Sequence, residues 1–285
     1  MQLVDPAPDL KERLEQASLV DLYYYPVKSC AGQRLEQAQV VETGLLHDRE
    51  LMVVDATNAE FLTQRELPRM ALIKPQISGS HLTLNAPGMP ALEMDLLLDG
   101  PEKGAKVWDD SCRTIDQGDE IARWFSEFLQ YEARLVRMSP RFKRTLDSRY
   151  ALSPDDTTNF ADGFPFLLIS QESLDDLNSR MAEALPMNRF RPNLVIAGSG
   201  IPFGEDQVRR IQIGEISFSI VKPCARCVTT TTDQQTAERG KEPLRTLATY
   251  RKAPKGVMFG QNLIHSGTGV LRVGDPVRVV EWPGK

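Results

Sequence analysis

The residues best suited to chemistry stand in one short run, Lys222-Pro223-Cys224-Ala225-Arg226-Cys227. Val228 and the threonines Thr229 to Thr232 follow it. Two thiols three positions apart beside two cations are poised to ionise, and thiolate is the form that binds metals. The same spacing also describes half a zinc site, a redox pair or two core cysteines. Half a zinc site needs a second pair, and the remaining cysteines, Cys30 and Cys112, are isolated. A thioredoxin-type pair belongs between a strand and a long helix, and a threonine run is poor helix material.

Other segments have the chemistry of an anion site. Tyr25-Pro26-Val27-Lys28-Ser29-Cys30 ends the first expected strand and offers Lys28 and Ser29 as anion contacts, though a strand end with a solvated lysine is the plainer reading of the segment alone. His47-Asp48-Arg49 opens a later strand, where a surface ion pair is the plainer reading. In Arg189-Phe190-Arg191-Pro192-Asn193 two arginines precede an apolar strand, able to grip a phosphate bidentately, though a basic surface turn is the plainer reading. Ser170 stands where a helix should start, and helix N-termini bind anions through free N–H groups. Phe259-Gly260-Gln261-Asn262 sets two amides beside a glycine, able to read a pterin-like ring or simply to enter a strand. The run Gly198-Ser199-Gly200-Ile201-Pro202-Phe203-Gly204 has the wrong spacing and no following helix for a dinucleotide loop.

These residues need elements to hold them. With 285 residues, 41 % of them hydrophobic and 26 % charged, the chain suits one large or two intimate domains with a sizeable core. A net charge of −5 argues against general nucleic-acid binding. Residues 1–20 lack the charged start and apolar run of a targeting signal, and no stretch reaches the roughly 20 apolar residues of a membrane span. A cytoplasmic setting with free thiols is expected. The three histidines, His47, His81 and His265, lie far apart, which disfavours a histidine metal site.

Short β-rich segments at Leu19–Tyr25, Leu35–Val41, Glu50–Asp55, Met70–Gln76 and His81–Asn85 predict a barrel or sandwich in the first half. Asp119–Gln130 has helical periodicity and divides the chain. Then come a strand at Phe166–Ile169, a helix capped by Ser170, a strand at Asn193–Ala197 and a hairpin around Gly214. A short helix at Glu242–Tyr250 and strands over Val270–Val280 complete the reading. Met138–Asp162 reads as a long polar loop over the surface or across the boundary. The fold class is mixed α+β and β-rich. The expected units are residues 19–118, a connecting helix and segment at 119–148, and residues 149–285.

Taken in order, YPVKSC, DR, FLTQRELPRMALI, FADGFPFLLIS, FRPNLV, KPCARCVTTT, EPLRTL, FGQNLI and GVLRVGDPV resemble the MOSC family from about residue 19 to residue 280. That family is named for the C-terminal domain of molybdenum-cofactor sulfurase. The resemblance is to its YcbX-like bacterial proteins and to the mitochondrial amidoxime-reducing component. It implies an N-terminal β domain and a MOSC β-barrel domain with a few helices, holding the molybdenum cofactor (Mo-molybdopterin) between them. It implies Cys227 as the metal ligand and catalytic centre. It also implies Lys28, Ser29, Arg49, Ser170, Arg191, Asn193 and Arg226 as cofactor contacts, with Cys224 not a ligand. On this reading Arg226 lowers the Cys227 thiol pKa.

The activity so implied is reduction of N-hydroxylated compounds such as hydroxylamines, amidoximes and N-hydroxylated bases, by oxygen-atom transfer to molybdenum. Asp233 is a candidate proton source. The chain ends at Lys285 without a C-x₄-C-x₂-C cluster run, so a separate ferredoxin-, flavodoxin- or cytochrome-type donor is expected, with no membrane and no nucleic-acid partner. A non-catalytic carrier of cofactor or sulfur is the alternative, and a metal-free barrel with a zinc-prone CxxC comes third.

Overall fold

The computed structural model describes residues 8–282. Residues 1–7 and 283–285 lie outside the described residues. They include part of the segment read for targeting signals and the end of the expected 149–285 unit.

The chain is mostly strand, with short helices. A nine-stranded sheet dominates. Its order is Val277–Glu281, Arg210–Ile213, Ile216–Arg226, Gly256–Ser266, Phe166–Ser170, Leu194–Ala197, Ser18–Tyr24 and Gln33–Leu35, with Lys252–Ala253 beside Gly256–Ser266. A four-stranded sheet joins Leu51–Asp55, Ala133–Met138, Asp110–Asp116 and Glu102–Val107. Two three-stranded sheets complete the architecture. The structure is therefore the expected β-rich α+β fold.

The first strand does not stay with its sequence neighbours. Ser18–Tyr24 pairs antiparallel with Leu194–Ala197, setting Leu22 against Leu194. Leu19, Leu22, Val40 and Leu45 share one apolar core with Phe166, Leu194 and Phe218. A second core gathers Val27, Leu51, Val53, Trp124, Phe125 and Leu135. The expected unit 19–118 thus lends its first strands to the C-terminal sheet. The chain then crosses to the smaller unit between Tyr25 and Leu51, where Lys28, Ser29 and Arg49 lie.

The dividing helix forms at Asp119–Leu129. Its apolar stripe (Ile121, Ala122, Trp124, Phe125, Phe128 and Leu129) is buried, and Gln130 ends it in the left-handed region. That stripe covers one face of the smaller unit, the usual way an amphipathic helix obtains its stability.

Three expectations change in detail. The strand expected at Met70–Gln76 begins only at Lys74, because Pro68–Leu72 is a 3₁₀ turn that buries Met70 and Ala71. The hairpin expected around Gly214 has a long second strand, Ile216–Arg226, which runs through the CxxC segment as far as Arg226. The segment 138–162 is no surface loop throughout: Arg144, Thr157, Thr158, Asn159 and Phe160 are buried, and Met138 and Phe160 share one apolar cluster. Among the described residues, no helix is long and apolar enough to cross a membrane.

Gly260 shows how tightly the central strands approach. Its φ is +81°, and an added Cβ would lie 2.9 Å from the Leu168 carbonyl oxygen and 2.7 Å from Ile169 Cγ1. Gly260→Ala is expected to cost about 1–3 kcal/mol through strain and contact. Urea denaturation measures this, and an unchanged midpoint would contradict the packing described.

Candidate active site

Between the two cores lies a cavity of about 150 Å³. Lys28, Ser29, Arg49, Arg191, Asn193, Arg226 and Cys227 all line it. Their sequence positions span about 200 residues, so only the strand crossover described above brings them together.

Cys227 follows the last strand residue, Arg226, and opens a 3₁₀ turn at Val228–Thr231. Pro223 has no N–H for the ladder, and the register shifts between Pro223 and Ala225. Such bulges re-aim the side chains beyond them. The Cys227 sulfur lies 3.4 Å from the Thr229 hydroxyl and 3.6 Å from an Arg65 guanidinium nitrogen. Burial would raise the thiol pKa, but the Thr229 hydroxyl and N–H, helped by Arg65, bring it below the ordinary thiol value. The helping cation is therefore Arg65. Arg226 instead reaches Cys224, 3.0 Å from its sulfur, and donates to the Phe190 carbonyl at 2.5 Å. Arg226 leads away from Cys227 because neighbouring residues at a strand end project to opposite faces.

The cationic wall is preorganised. Arg49 and Arg191 each hold a guanidinium 4.3 Å from the Tyr25 ring centroid. Arg49 donates to Asp48 at 2.6 Å, to the Asn193 side-chain oxygen at 3.0 Å and to the Arg191 carbonyl at 3.3 Å. Asn193 in turn donates to the Tyr23 carbonyl and accepts from the Leu167 N–H. It ties Arg49 to the large sheet and has little left to offer a ligand. Burial pulls the Arg191 guanidinium down to about 10, and its Nη1 is buried without a hydrogen-bond partner. The Arg226 Nε is likewise orphaned. Ser29, Arg49 and Arg191 all sit at positive φ, +66°, +47° and +56°. Left-handed backbone at three non-glycine residues of one cavity is strain stored at a site.

Lys28 is buried. Its ammonium donates to the Phe160 carbonyl at 2.8 Å and to Asp162 at 2.5 Å. Two of three donors are thus committed, leaving one for an anion. Against desolvation, Lys28 holds the Asp162 carboxyl well below the usual carboxylate range.

Ser170 is a correction. It caps the helix Gln171–Ser179, accepting from the Ser173 N–H, and is absent from the cavity wall. The anion at that helix start is internal: Glu205 accepts from the Ser170 N–H, the Ser170 hydroxyl and the Ser173 hydroxyl at 3.2, 2.8 and 2.8 Å. Burial raises the Glu205 carboxyl pKa. Ser170→Ala should cost about 1 kcal/mol as a lost cap and leave cofactor content unchanged. Denaturation and metal analysis on one preparation check both, and loss of metal without loss of stability would restore Ser170 to the site.

Asp233 and Gln261 also fall away. Asp233 pairs with Arg189 at 2.8 Å, and hydrogen bonds from the Gln235 and Thr236 N–H groups keep it ionised below the ordinary range. It is thus a poor proton donor, and the cavity carboxylate is Asp162. Gln261 donates to Asp206, away from the cavity, while Asn262 lines it. Arg65 and Asp162 escape a reading of isolated motifs, because their contacts join residues far apart in the chain, whereas Thr229 stands two residues from Cys227 in the visible threonine run. The FLTQR and FADGF runs contain the first two.

Comparison with known proteins decides the family. The MOSC N-terminal beta barrel domain matches residues 16–132 and the MOSC domain matches residues 155–278. This chain belongs to the MOSC family. Mitochondrial amidoxime-reducing component 1 of Mus musculus is 34 % identical over 95 % of the chain and 84 % of its own length. The Homo sapiens protein of that name is 34 % identical over 95 % and 86 %. Molybdenum cofactor sulfurase of Arabidopsis thaliana is 34 % identical over 90 % of the chain but only 34 % of itself.

The MOSC cavity fits the cofactor that this family implies. Among the described residues, no cluster of three or more His, Cys, Asp or Glu is placed to hold a metal. A metal at Cys227 therefore depends on ligands that arrive with a cofactor, such as a dithiolene. The orphaned nitrogens of Arg191 and Arg226 are donors awaiting an acceptor, which the phosphate and pterin of such a cofactor provide.

Proposed function

We propose that this protein is a molybdenum-cofactor-dependent oxidoreductase that reduces N-hydroxylated compounds: hydroxylamines, amidoximes and N-hydroxylated bases. One observation carries the reading. A thiol with a lowered pKa faces a cation-rich cavity where, among the described residues, no cluster of three or more His, Cys, Asp or Glu is placed to hold a metal.

When bound, the cofactor supplies two-electron oxygen-atom transfer, which takes oxygen from N–OH and leaves the amine or amidine. Cys227 is the soft thiolate that anchors the metal. Arg65 and the Thr229 hydroxyl stabilise that thiolate. Arg49, Arg191 and the third donor of Lys28 hold the anionic end, and Ser29 stands beside them. The buried ion pair and the Tyr25 ring keep these groups fixed before the ligand enters, so little ordering remains to be done on binding. Asp162, ionised and facing the cavity, accepts a hydrogen bond from an incoming N–OH or product N–H. Protons come from solvent, and electrons come from a separate donor protein.

The test supplies cofactor-loaded protein with a chemical reductant and an aryl amidoxime, and follows amidine formation. Steady turnover with loss of about one amidoxime per two electrons supports the reading. Full molybdenum content with no turnover on any hydroxylamine, amidoxime or N-hydroxylated base would overturn it in favour of the carrier function that the sulfurase likeness makes the second reading.

A further inference from the structure

The chain beyond Cys227 builds an arm. After the 3₁₀ turn Val228–Thr231, residues 232–239 fold back on themselves. Thr232 bridges Arg239, the Asp233 N–H donates to the Glu238 carbonyl at 2.8 Å, and the Gly240 N–H returns to the Thr231 carbonyl at 3.0 Å. Asp233 ties the bend by accepting from the Gln235 and Thr236 N–H groups at 2.8 and 3.0 Å. The run Thr232-Asp233-Gln234-Gln235-Thr236-Ala237-Glu238-Arg239 has no large apolar side chain, so filling a core does not explain it.

The arm reaches across to the smaller unit. Gln64, in the FLTQR run, is fully buried. Its side-chain amide and that of Gln234 exchange hydrogen bonds: Gln64 Nε2 donates to Gln234 Oε1 at 3.2 Å, and Gln234 Nε2 donates to Gln64 Oε1 at 3.0 Å. Arg239 is exposed, yet one of its nitrogens donates to the Gln64 carbonyl and, at 2.5 Å, to the Arg65 carbonyl. These partners stand 170 to 175 residues apart in sequence. A loop tip with local roles alone would have no such bonds.

The same bonds fix residues on two sides of the cofactor cavity. Gln64 Nε2 also donates to the carbonyl of Ser29, at 2.6 Å, and Ser29 is held at positive φ in the cavity wall. Arg65, next in the chain, holds its guanidinium nitrogen 3.6 Å from the Cys227 sulfur, with the Trp108 ring centroid 4.3 Å from the guanidinium carbon. A cofactor in this cavity is gripped from both units, so it leaves only when they part locally.

We propose that Gln234 and Arg239 are positioning residues of the cofactor site. Acting through Gln64 and Arg65, they hold the 63–66 loop down beside Cys227 and so set how long a bound cofactor stays. Lifting that loop breaks the amide pair and both Arg239 bonds, and it leaves the buried Gln64 amide short of a partner.

This inference rests on the cofactor assignment and not on the reductase reading, because its test needs no turnover. Deuterium exchange of the cofactor-free protein reads the loop alone. Arg239→Ala and Gln234→Ala should each speed exchange in a peptide spanning residues 62–67, where the Glu66 and Leu67 N–H groups bond the Thr63 carbonyl. The helix Asp119–Leu129 should exchange as in wild type. Molybdenum retained by loaded protein after dilution and desalting, followed with time, reads the consequence. Each alanine variant should release it about three- to tenfold faster, the scale of one or two lost hydrogen bonds. Arg239→Lys keeps a donor within reach of a carbonyl and should fall between. Unchanged loop exchange, or wild-type release rates in both variants, would overturn the proposal. Exchange that rises equally in the helix would overturn it too, since that is general loosening. No molybdenum in wild type would sink the cofactor assignment and the retention role with it, even where the loop responds.

Discussion

Cys227→Ala is expected to abolish reductase activity and to lower the molybdenum retained through purification by more than about tenfold. Even outer-shell changes at metal sites cost tens of fold in affinity, and here the proposed protein ligand is lost. The fold should survive, because Cys227 is only half-buried at a strand end and its sulfur contacts polar side chains. Cys224→Ala is the matched control. Its sulfur faces Arg226 rather than Arg65 and Thr229, so molybdenum content and activity should stay within about a factor of three of wild type on the scale of a lost surface contact. Equal molybdenum loss in both variants would mean that the pair, and not Cys227, holds the metal.

Arg49→Ala has the other large effect, on stability and on cofactor binding together. Arg49 is the partner of Asp48, whose carboxylate is almost fully buried and also accepts from the Tyr25 N–H at 2.8 Å. Removing the guanidinium leaves that carboxylate uncompensated and breaks the links to Asn193 and the Arg191 carbonyl. Loss of one partner of a buried pair costs about 3–5 kcal/mol. The left-handed φ of Arg49 is a conformation alanine tolerates no better. Thermal or urea unfolding should therefore show a large loss, and the surviving protein should retain little cofactor. Arg49→Lys keeps a charge but not the fork that reaches three acceptors, so stability should recover more than cofactor retention. Recovery of both to wild type would reduce Arg49 to a point charge.

Sequence and structure agree best where a short pattern decides the outcome alone. The Asp119–Leu129 helix follows from its apolar spacing, and the Ser170 cap follows from a serine ahead of acidic residues. The family resemblance implied Lys28, Ser29, Arg49, Arg191, Asn193, Arg226 and Cys227 as one set, and all seven line one cavity. Three kinds of fact were hidden. Glu102–Val107 is a sheet strand whose lysines, glutamate and glycine disguise it, because it is a mostly exposed edge with only two buried residues. Ser170 has the composition of an anion site, but Glu205, 35 residues downstream, already fills that helix start. The cation beside Cys227 is Arg65, 162 residues away in sequence, and not the adjacent Arg226. Spacing along a strand says which face a side chain takes; it does not say which distant loop meets it there.

Metal content tests the assignment of this cavity most directly. The measurement is elemental analysis of the full chain purified from cells that make molybdenum cofactor. The site described here predicts about one molybdenum per chain, released together with its pterin on denaturation. Zinc in place of molybdenum, or no metal from cofactor-competent cells, would contradict the assignment of this cavity.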